Sequence, residues 1–200
     1  VGSVYRVTLD TPLAAEGLYQ VAVGPHIATP AGWELDQDRD GLGGEEGQDA
    51  YVAEVELDLT GPRVIAQEPL GTIGTAVESF EVTFSEAIAP ETFTPADVTI
   101  TGPAGAIQPL AVEPLSETHF RVTFEWQATD GTYELTVGPD VTALAGNAMD
   151  QDQDGVQGDG YAGQFVLDLE PVRVVSSDPA DGGLVAQAIN HIDVTFSVPI

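Results

Sequence analysis

The sequence contains no cysteine and no lysine. The first absence excludes disulfides, zinc–thiolate sites and thiol nucleophiles together, and leaves the compartment open. The second excludes the side-chain amide crosslink between lysine and asparagine or aspartate, so any reinforcement of the chain falls to a metal. Basic residues are scarce as well: five arginines stand against 33 Asp and Glu, for a formal charge of −28. That field repels nucleic-acid phosphates and anionic lipid heads, and no basic stretch acts locally against it, so neither nucleic acid nor membrane surface is expected as a partner. No apolar run approaches the ~20 residues that cross a bilayer, and no membrane insertion is expected. No charged-then-apolar leader follows Val1, and both ends fall within strand-like patterns, so a window from a longer polypeptide is expected. With 42 % hydrophobic residues the chain can build one or two cores, and a folded, acidic, soluble protein is predicted.

What the chain does have is self-similarity. Tyr5-Arg6-Val7-Thr8 returns as Phe120-Arg121-Val122-Thr123, Gly17-Leu18-Tyr19 as Gly131-Thr132-Tyr133, and Val23-Gly24-Pro25 as Val137-Gly138-Pro139. Glu68-Pro69 matches Asp178-Pro179, and Val82-Thr83-Phe84-Ser85 matches Val194-Thr195-Phe196-Ser197. The offset drifts between 109 and 115 residues, too long for a solenoid unit and the size of a small domain. The expected organisation is the C-terminal half of one repeat at 1–60, a complete repeat at 61–169, and the N-terminal start of a third at 170–200.

Inside the complete copy, Phe80, Val82 and Phe84 alternate with Glu81 and Thr83, and Phe120, Val122 and Phe124 alternate with Arg121 and Thr123. Tyr133, Leu135 and Val137 form a third apolar row, and Phe165, Leu167 and Leu169 a fourth; period-two rows of this kind are half-buried strands. Arg63 to Gln67, Val98 to Thr101 and Ile107 to Val112 add strands, with turn signals at Thr101-Gly102-Pro103 and Asp130-Gly131. No window has a sustained helical period, and Pro139 to Ala145 suits at most one short turn. About seven strands in this length predict an all-β fold, an antiparallel two-sheet sandwich of the immunoglobulin type repeated in tandem.

Glu68-Pro69 followed by Phe80-Glu81-Val82-Thr83-Phe84-Ser85-Glu86-Ala87-Ile88, then Phe93 to Gly102, Gly131 to Val137 and Leu144-Ala145-Gly146-Asn147, resembles the bacterial Ig-like domains carried in tandem by large secreted and cell-surface proteins. The resemblance implies spacers, stalks and adhesive arrays rather than enzymes.

Two segments carry chemistry. Asp36-Gln37-Asp38-Arg39-Asp40-Gly41 and Asp150-Gln151-Asp152-Gln153-Asp154-Gly155 share Asp at positions one, three and five and Gly at six. This is the first half of a calcium loop of EF-hand type: alternate side chains of a tight turn converge on one point, and carboxylate oxygen suits a hard cation. Position seven contributes a backbone carbonyl, here Leu42 and Val156. Position twelve, a bidentate Glu in that motif, is Gly47 or Tyr161, so the closing ligand comes from elsewhere. Counted from the first Asp, Glu45 and Asp159 are equivalent; counted back from the aromatic that starts the last strand, Asp49 and Asp159 are. The closing ligand is expected to be Asp159 in the second loop and either Asp49 or Glu45 in the first. Asn147 can add an oxygen in the second loop, where the first has Trp33. Asp and Gly also make ordinary turns, but three like charges in five residues, spaced identically in both copies, favour calcium as the cofactor.

In a seven-strand sandwich the hairpin before the last strand lies at the end where the chain comes in, so each loop is expected beside a junction with the preceding repeat. At Leu169-Glu170-Pro171 about two residues separate repeats, and proline stiffens the passage. The expected function is therefore a calcium-stiffened, non-catalytic structural or adhesive segment of a long extracellular surface or filament protein. Its expected partners are neighbouring repeats of the same chain, with other copies or surface glycans as further candidates. His26, His119 and His191 are scattered and form no catalytic constellation. The alternative is a carbohydrate-binding or accessory module of a secreted protein, for which Trp33, Trp126, Tyr51 and Tyr161 are the aromatic candidates. An acidic, lysine-free surface stays hydrated in saline, which points to a secreted or cell-surface location.

Overall fold

The computed structural model describes residues 3–197. Residues 1, 2 and 198–200, the outermost parts of the first and last expected pieces, lie outside the described residues. The chain divides into two compact units, with the boundary between Thr60 and Gly61.

Among its described residues the first unit contains one antiparallel hairpin, β1 (Gly17–Val23) and β2 (Tyr51–Leu57), paired in continuous register from Gly17↔Leu57 to Val23↔Tyr51. Glu16 closes its open end by accepting the N–H of Leu59 at 3.0 Å and the hydroxyl of Thr60. Most of its apolar side chains, including Leu18, Val21 and Val55, are exposed, as expected of two strands with no second layer.

The second unit begins with β3 (Val64–Glu68), β4 (Gly71–Ile73) and β5 (Val77–Phe84). It continues with β6 (Val98–Gly102), β7 (Gly105–Ile107), β8 (Pro109–Pro114), β9 (His119–Gln127), β10 (Gly131–Val137) and β11 (Tyr161–Leu167). Two sheets result, one in the order β3-β5-β9-β8 and the other β4-β11-β10-β6-β7. The alternating rows supply the layer between them. Phe80, Val82, Phe84, Phe120, Val122 and Phe124 face Ile100, Tyr133, Leu135, Val137, Phe165 and Leu167, each almost fully buried. Phe84, Phe93 and Phe120 meet edge-on with ring centroids 5.3–5.8 Å apart, while Tyr133 stacks on Phe165 at 5.1 Å. Both arrangements satisfy the ring quadrupole while filling the core. The Tyr133 hydroxyl donates to the Thr129 carbonyl at 2.9 Å, so this buried ring leaves no polar atom unpaired.

Three details depart from the sequence expectation. Ile107 to Val112 is two strands on different sheets, because the chain changes layer at Gln108. β4 was not anticipated: after Pro69 the chain crosses to the opposite sheet and turns at Gly71 (φ 74°), and β4 pairs with β11 in parallel. The last strand ends at Leu167, so Leu169 lies beyond it. Pro139 to Ala145 keeps to the one short turn expected of it, closed by the Gly146 N–H to the Ala143 carbonyl at 2.9 Å, and 3-10 turns form at Pro90–Thr92 and Pro95–Asp97.

The unit ends with a separate pair, β12 (Val174–Asp178) and β13 (Asp193–Phe196). It runs from Val174↔Phe196 to Asp178↔Asp193, with an irregularity after Val174. The β3–β5 pairing has the same form, Val64↔Phe84 to Glu68↔Glu81 with an irregularity after Val64. Likewise β10–β11 runs Gly131↔Leu167 to Val137↔Tyr161, the seven-residue register of β1–β2.

Candidate metal centre

Each acidic segment lies in the connection between paired strands, residues 36–49 between β1 and β2 and residues 150–159 between β10 and β11. Both backbones turn by the same hydrogen bonds. The carboxylates of Asp36 and Asp150 accept the N–H of Gly41 and Gly155, each at 3.0 Å. Asp38 and Asp152 accept from Asp40 and Asp154, each at 3.1 Å, and Asp40 and Asp154 accept from Leu42 and Val156 at 2.8 and 2.7 Å. The turn needs left-handed backbone twice, at Arg39 (φ 66°) and Gly41 (φ 97°) in one loop and at Gln153 (φ 62°) and Gly155 (φ 83°) in the other. A glycine relieves the second of these positions. Leu42 and Val156, the expected carbonyl donors, hold their side chains in solvent.

These turns bring carboxylates together. One oxygen from each of Asp36, Asp38 and Asp40 lies within 4.8 Å of the other two, and the same holds for Asp150, Asp152 and Asp159. Asp154 stays outside the second set, and Glu45 and Asp49 outside the first. Asp36 Oδ1, Glu45 Oε2 and Asp150 Oδ1 are shielded from solvent and have no hydrogen-bond partner. Asp150 is the sharpest case, since the whole residue is only 5 % exposed. An ionised carboxylate oxygen only accepts, and burying one unpaired is costly. An all-oxygen set with buried, unsatisfied lone pairs at these alternating positions fits a hard divalent cation such as calcium.

The two ways of counting the closing residue separate in three dimensions because the first loop is longer, Asp49 standing thirteen positions after Asp36 where Asp159 stands nine after Asp150. Asp159 does two things: its Oδ2 accepts the N–H of Gln151 (2.7 Å) and Asp152 (3.1 Å), and it belongs to the close carboxylate set. In the first loop Asp49 takes the first of these duties and, lying outside the close carboxylate set, not the second. Asp49, fully buried, accepts from Gln37 at 2.8 Å and Glu45 at 2.9 Å. The N–H of Glu45 foremost, with those of Gln37, Asp38 and Gly44 adding, holds the Asp49 carboxyl below its ordinary pKa against the effect of burial. Glu45 is pushed the other way, by burial first and then by the charges of Asp40, Asp49, Asp38 and Asp36. Asp49 is thus already satisfied by backbone donors, and Glu45 is the group a cation would relieve.

The second loop also reaches the start of its own domain. The N–H of Asp150 donates to the Pro62 carbonyl at 3.1 Å. The side-chain amide of Gln151 grips Val64 by both backbone groups, accepting its N–H at 2.8 Å and donating to its carbonyl at 3.0 Å. Sequence reading passed over this residue, although glutamine at position two recurs in both loops as Gln37 and Gln151. Asn147 is engaged with Gln157, whose Nε2 donates to its Oδ1 at 3.2 Å.

His26 sits between Glu34 (3.1 Å) and Glu46 (3.3 Å), and His119 and Arg121 flank Glu81 on the outer face of the β5–β9 pair, at 2.9 and 2.7 Å. Trp33 and Trp126 are exposed and belong to different units, as do Tyr51 and Tyr161; the Tyr161 hydroxyl donates to Gln67. Among the described residues no helix is long and apolar enough to cross a membrane.

The family model of the bacterial Ig-like domain matches residues 58–157. The chain belongs to the bacterial Ig-like domain family. The match begins just ahead of the second unit and takes in most of both its sheets and its acidic loop up to Gln157. Among solved structures this Ig-like chain is similar to the N-terminal part of the bacterial S-layer protein SbsC, with 20 % identity over 58 % of this chain and 25 % of that one and a TM-score of 0.42. It is also similar to domains 1–6 of the surface layer protein SbsC, with 19 % identity over 58 % of this chain and 14 % of that one and a TM-score of 0.41. The chain spans a quarter or less of the length of these proteins. No curated protein sequence matches it.

Proposed function

We propose that this chain is a stretch of tandem Ig-like domains from an extracellular structural protein, and that calcium orders its acidic loops and stiffens the passage from one domain to the next. On this reading residues up to 60 are the closing half of one domain, 61–169 a whole one, and 170–200 the opening of another. The matching registers of β1–β2 with β10–β11, and of β12–β13 with β3–β5, support that division. The observation that carries the calcium assignment is Asp150 Oδ1, buried, unpartnered and held within 4.8 Å of carboxylate oxygens from Asp152 and Asp159.

Asp150, Asp152, Asp154 and Asp159 would hold the ion in the second loop with the Val156 carbonyl, and Asp36, Asp38, Asp40 and Glu45 in the first with that of Leu42. Asp49 is the backbone anchor of the first loop. Calcium supplies charge neutralisation and six to eight oxygen bonds in such a cage. Asp159 fixes the N–H groups of Gln151 and Asp152, and Asp150 ties the loop to Pro62, so an ordered loop holds the first residues of the domain. Calorimetric titration of the whole chain with calcium is expected to give two sites. X-ray scattering is expected to show a longer, better-defined maximum dimension with calcium than with chelator; superimposable profiles reject the stiffening.

A further inference from the structure

The two residues that flank Gln151 are ligand candidates, and its own side chain points away from them to β3. The primary amide makes the pair of bonds a neighbouring strand would make, one from the Val64 N–H (2.8 Å) and one to the Val64 carbonyl (3.0 Å). Its own N–H is held by Asp159 at 2.7 Å. On the other edge of the same segment, Ser85 and Arg63 exchange two bonds, the Ser85 N–H to the Arg63 carbonyl at 2.9 Å and the Arg63 N–H to the Ser85 hydroxyl at 3.1 Å. The segment Pro62–Val64 is therefore clamped on one side by the sheet and on the other only by the acidic loop.

We propose that Gln151 is the positioning residue through which cation occupancy of the Asp150–Asp152–Asp159 set is transmitted to the first residues of the domain. This rests on the calcium reading of that loop. With its carboxylates uncompensated, the loop opens more often, and each opening withdraws the amide from Val64. A bound cation lowers the open population by the factor 1 + [L]/Kd, about tenfold when calcium is ten times its Kd. The Val64 amide reports this directly, because the Gln151 side chain accepts its N–H at 2.8 Å.

Amide hydrogen exchange at Val64 in the whole chain, with calcium and with chelator, is the test, read alongside calorimetric calcium binding by the same samples. Wild type is expected to bind and to show about tenfold slower exchange at Val64 at ten times Kd. Gln151→Met, of similar length without the amide, and Gln151→Ala are expected to bind calcium within about threefold of wild type while Val64 exchanges equally fast with and without it. Calcium-dependent protection of Val64 that persists in both variants overturns the role of Gln151, as does wild-type binding with no change at Val64. A wild-type chain that binds no calcium overturns the underlying reading as well, and calorimetry tells that failure from the other two.

Discussion

Replacing Asp150 by asparagine separates the two consequences of a buried carboxylate. The Oδ2 that accepts the Gly155 N–H can be kept by the asparagine oxygen, while the unpartnered Oδ1 becomes an N–H₂ able to donate to Asp152 or Asp159. Carboxylates within 4.8 Å repel by about 1 kcal/mol per pair at the dielectric constant of water. The substitution removes two of the three pairs in this set, so the ion-free protein is expected to gain up to about 2 kcal/mol, or ~8 °C in melting temperature for a domain of this size. On the proposed calcium reading the same change also removes the ligand at position one. Calcium at a hundred times its Kd stabilises a one-site domain by about 2.7 kcal/mol, which is ~10 °C. Scanning calorimetry of the whole chain, following the unit that starts at Gly61, should thus show wild type rising by ~10 °C on adding calcium and Asp150→Asn hardly moving, yet melting above wild type in chelator. An equal calcium shift in both proteins, or none in wild type, refutes the assignment.

Glu45→Gln should weaken the first site by at least about tenfold in a calorimetric titration and leave the second unchanged, whereas Asp49→Asn should loosen the loop itself, seen as faster amide exchange at Gln37 and Glu45 even in chelator. Phe120→Ala removes the ring that meets Phe84 and Phe93, and a loss of about 3–5 kcal/mol in urea unfolding is expected. The Glu81 carboxyl is held below its ordinary value of 4.5, chiefly by hydrogen bonds from Arg121. Its stabilising contribution is complete above that ordinary value and is lost as pH falls through the lowered folded one, so the difference in urea midpoint between wild type and Glu81→Gln should shrink between about pH 6 and pH 3.

Much of the fold was legible because its strands are half-buried and alternate cleanly. The rows at Phe80, Phe120 and Tyr133 name the facing layers of the core without any structure. Short pieces were hidden for the opposite reason. β4 spans three residues, too few for a period to show, and the break at Gln108 lies inside an apolar stretch that reads as continuous. The alternating carboxylates of the acidic loops were legible in their spacing, but the closing residue of the proposed first site was left between two carboxylates, because the longer loop gives Asp49 and Glu45 different surroundings, backbone donors for one and a shielded, unpartnered oxygen for the other. Gln151 was invisible as an actor since its partner, Val64, lies 87 residues away.

The parallel pairing of β4 with β11 places the first part of the domain alongside its last strand, with Phe165↔Gly71 and Leu167↔Ile73 in register. Because the two run the same way, traction on the polypeptide before β3 and after Leu167 drags them in opposite senses along their common axis. Their rungs are then loaded together in shear, where an antiparallel hairpin held at its open end would peel one rung at a time.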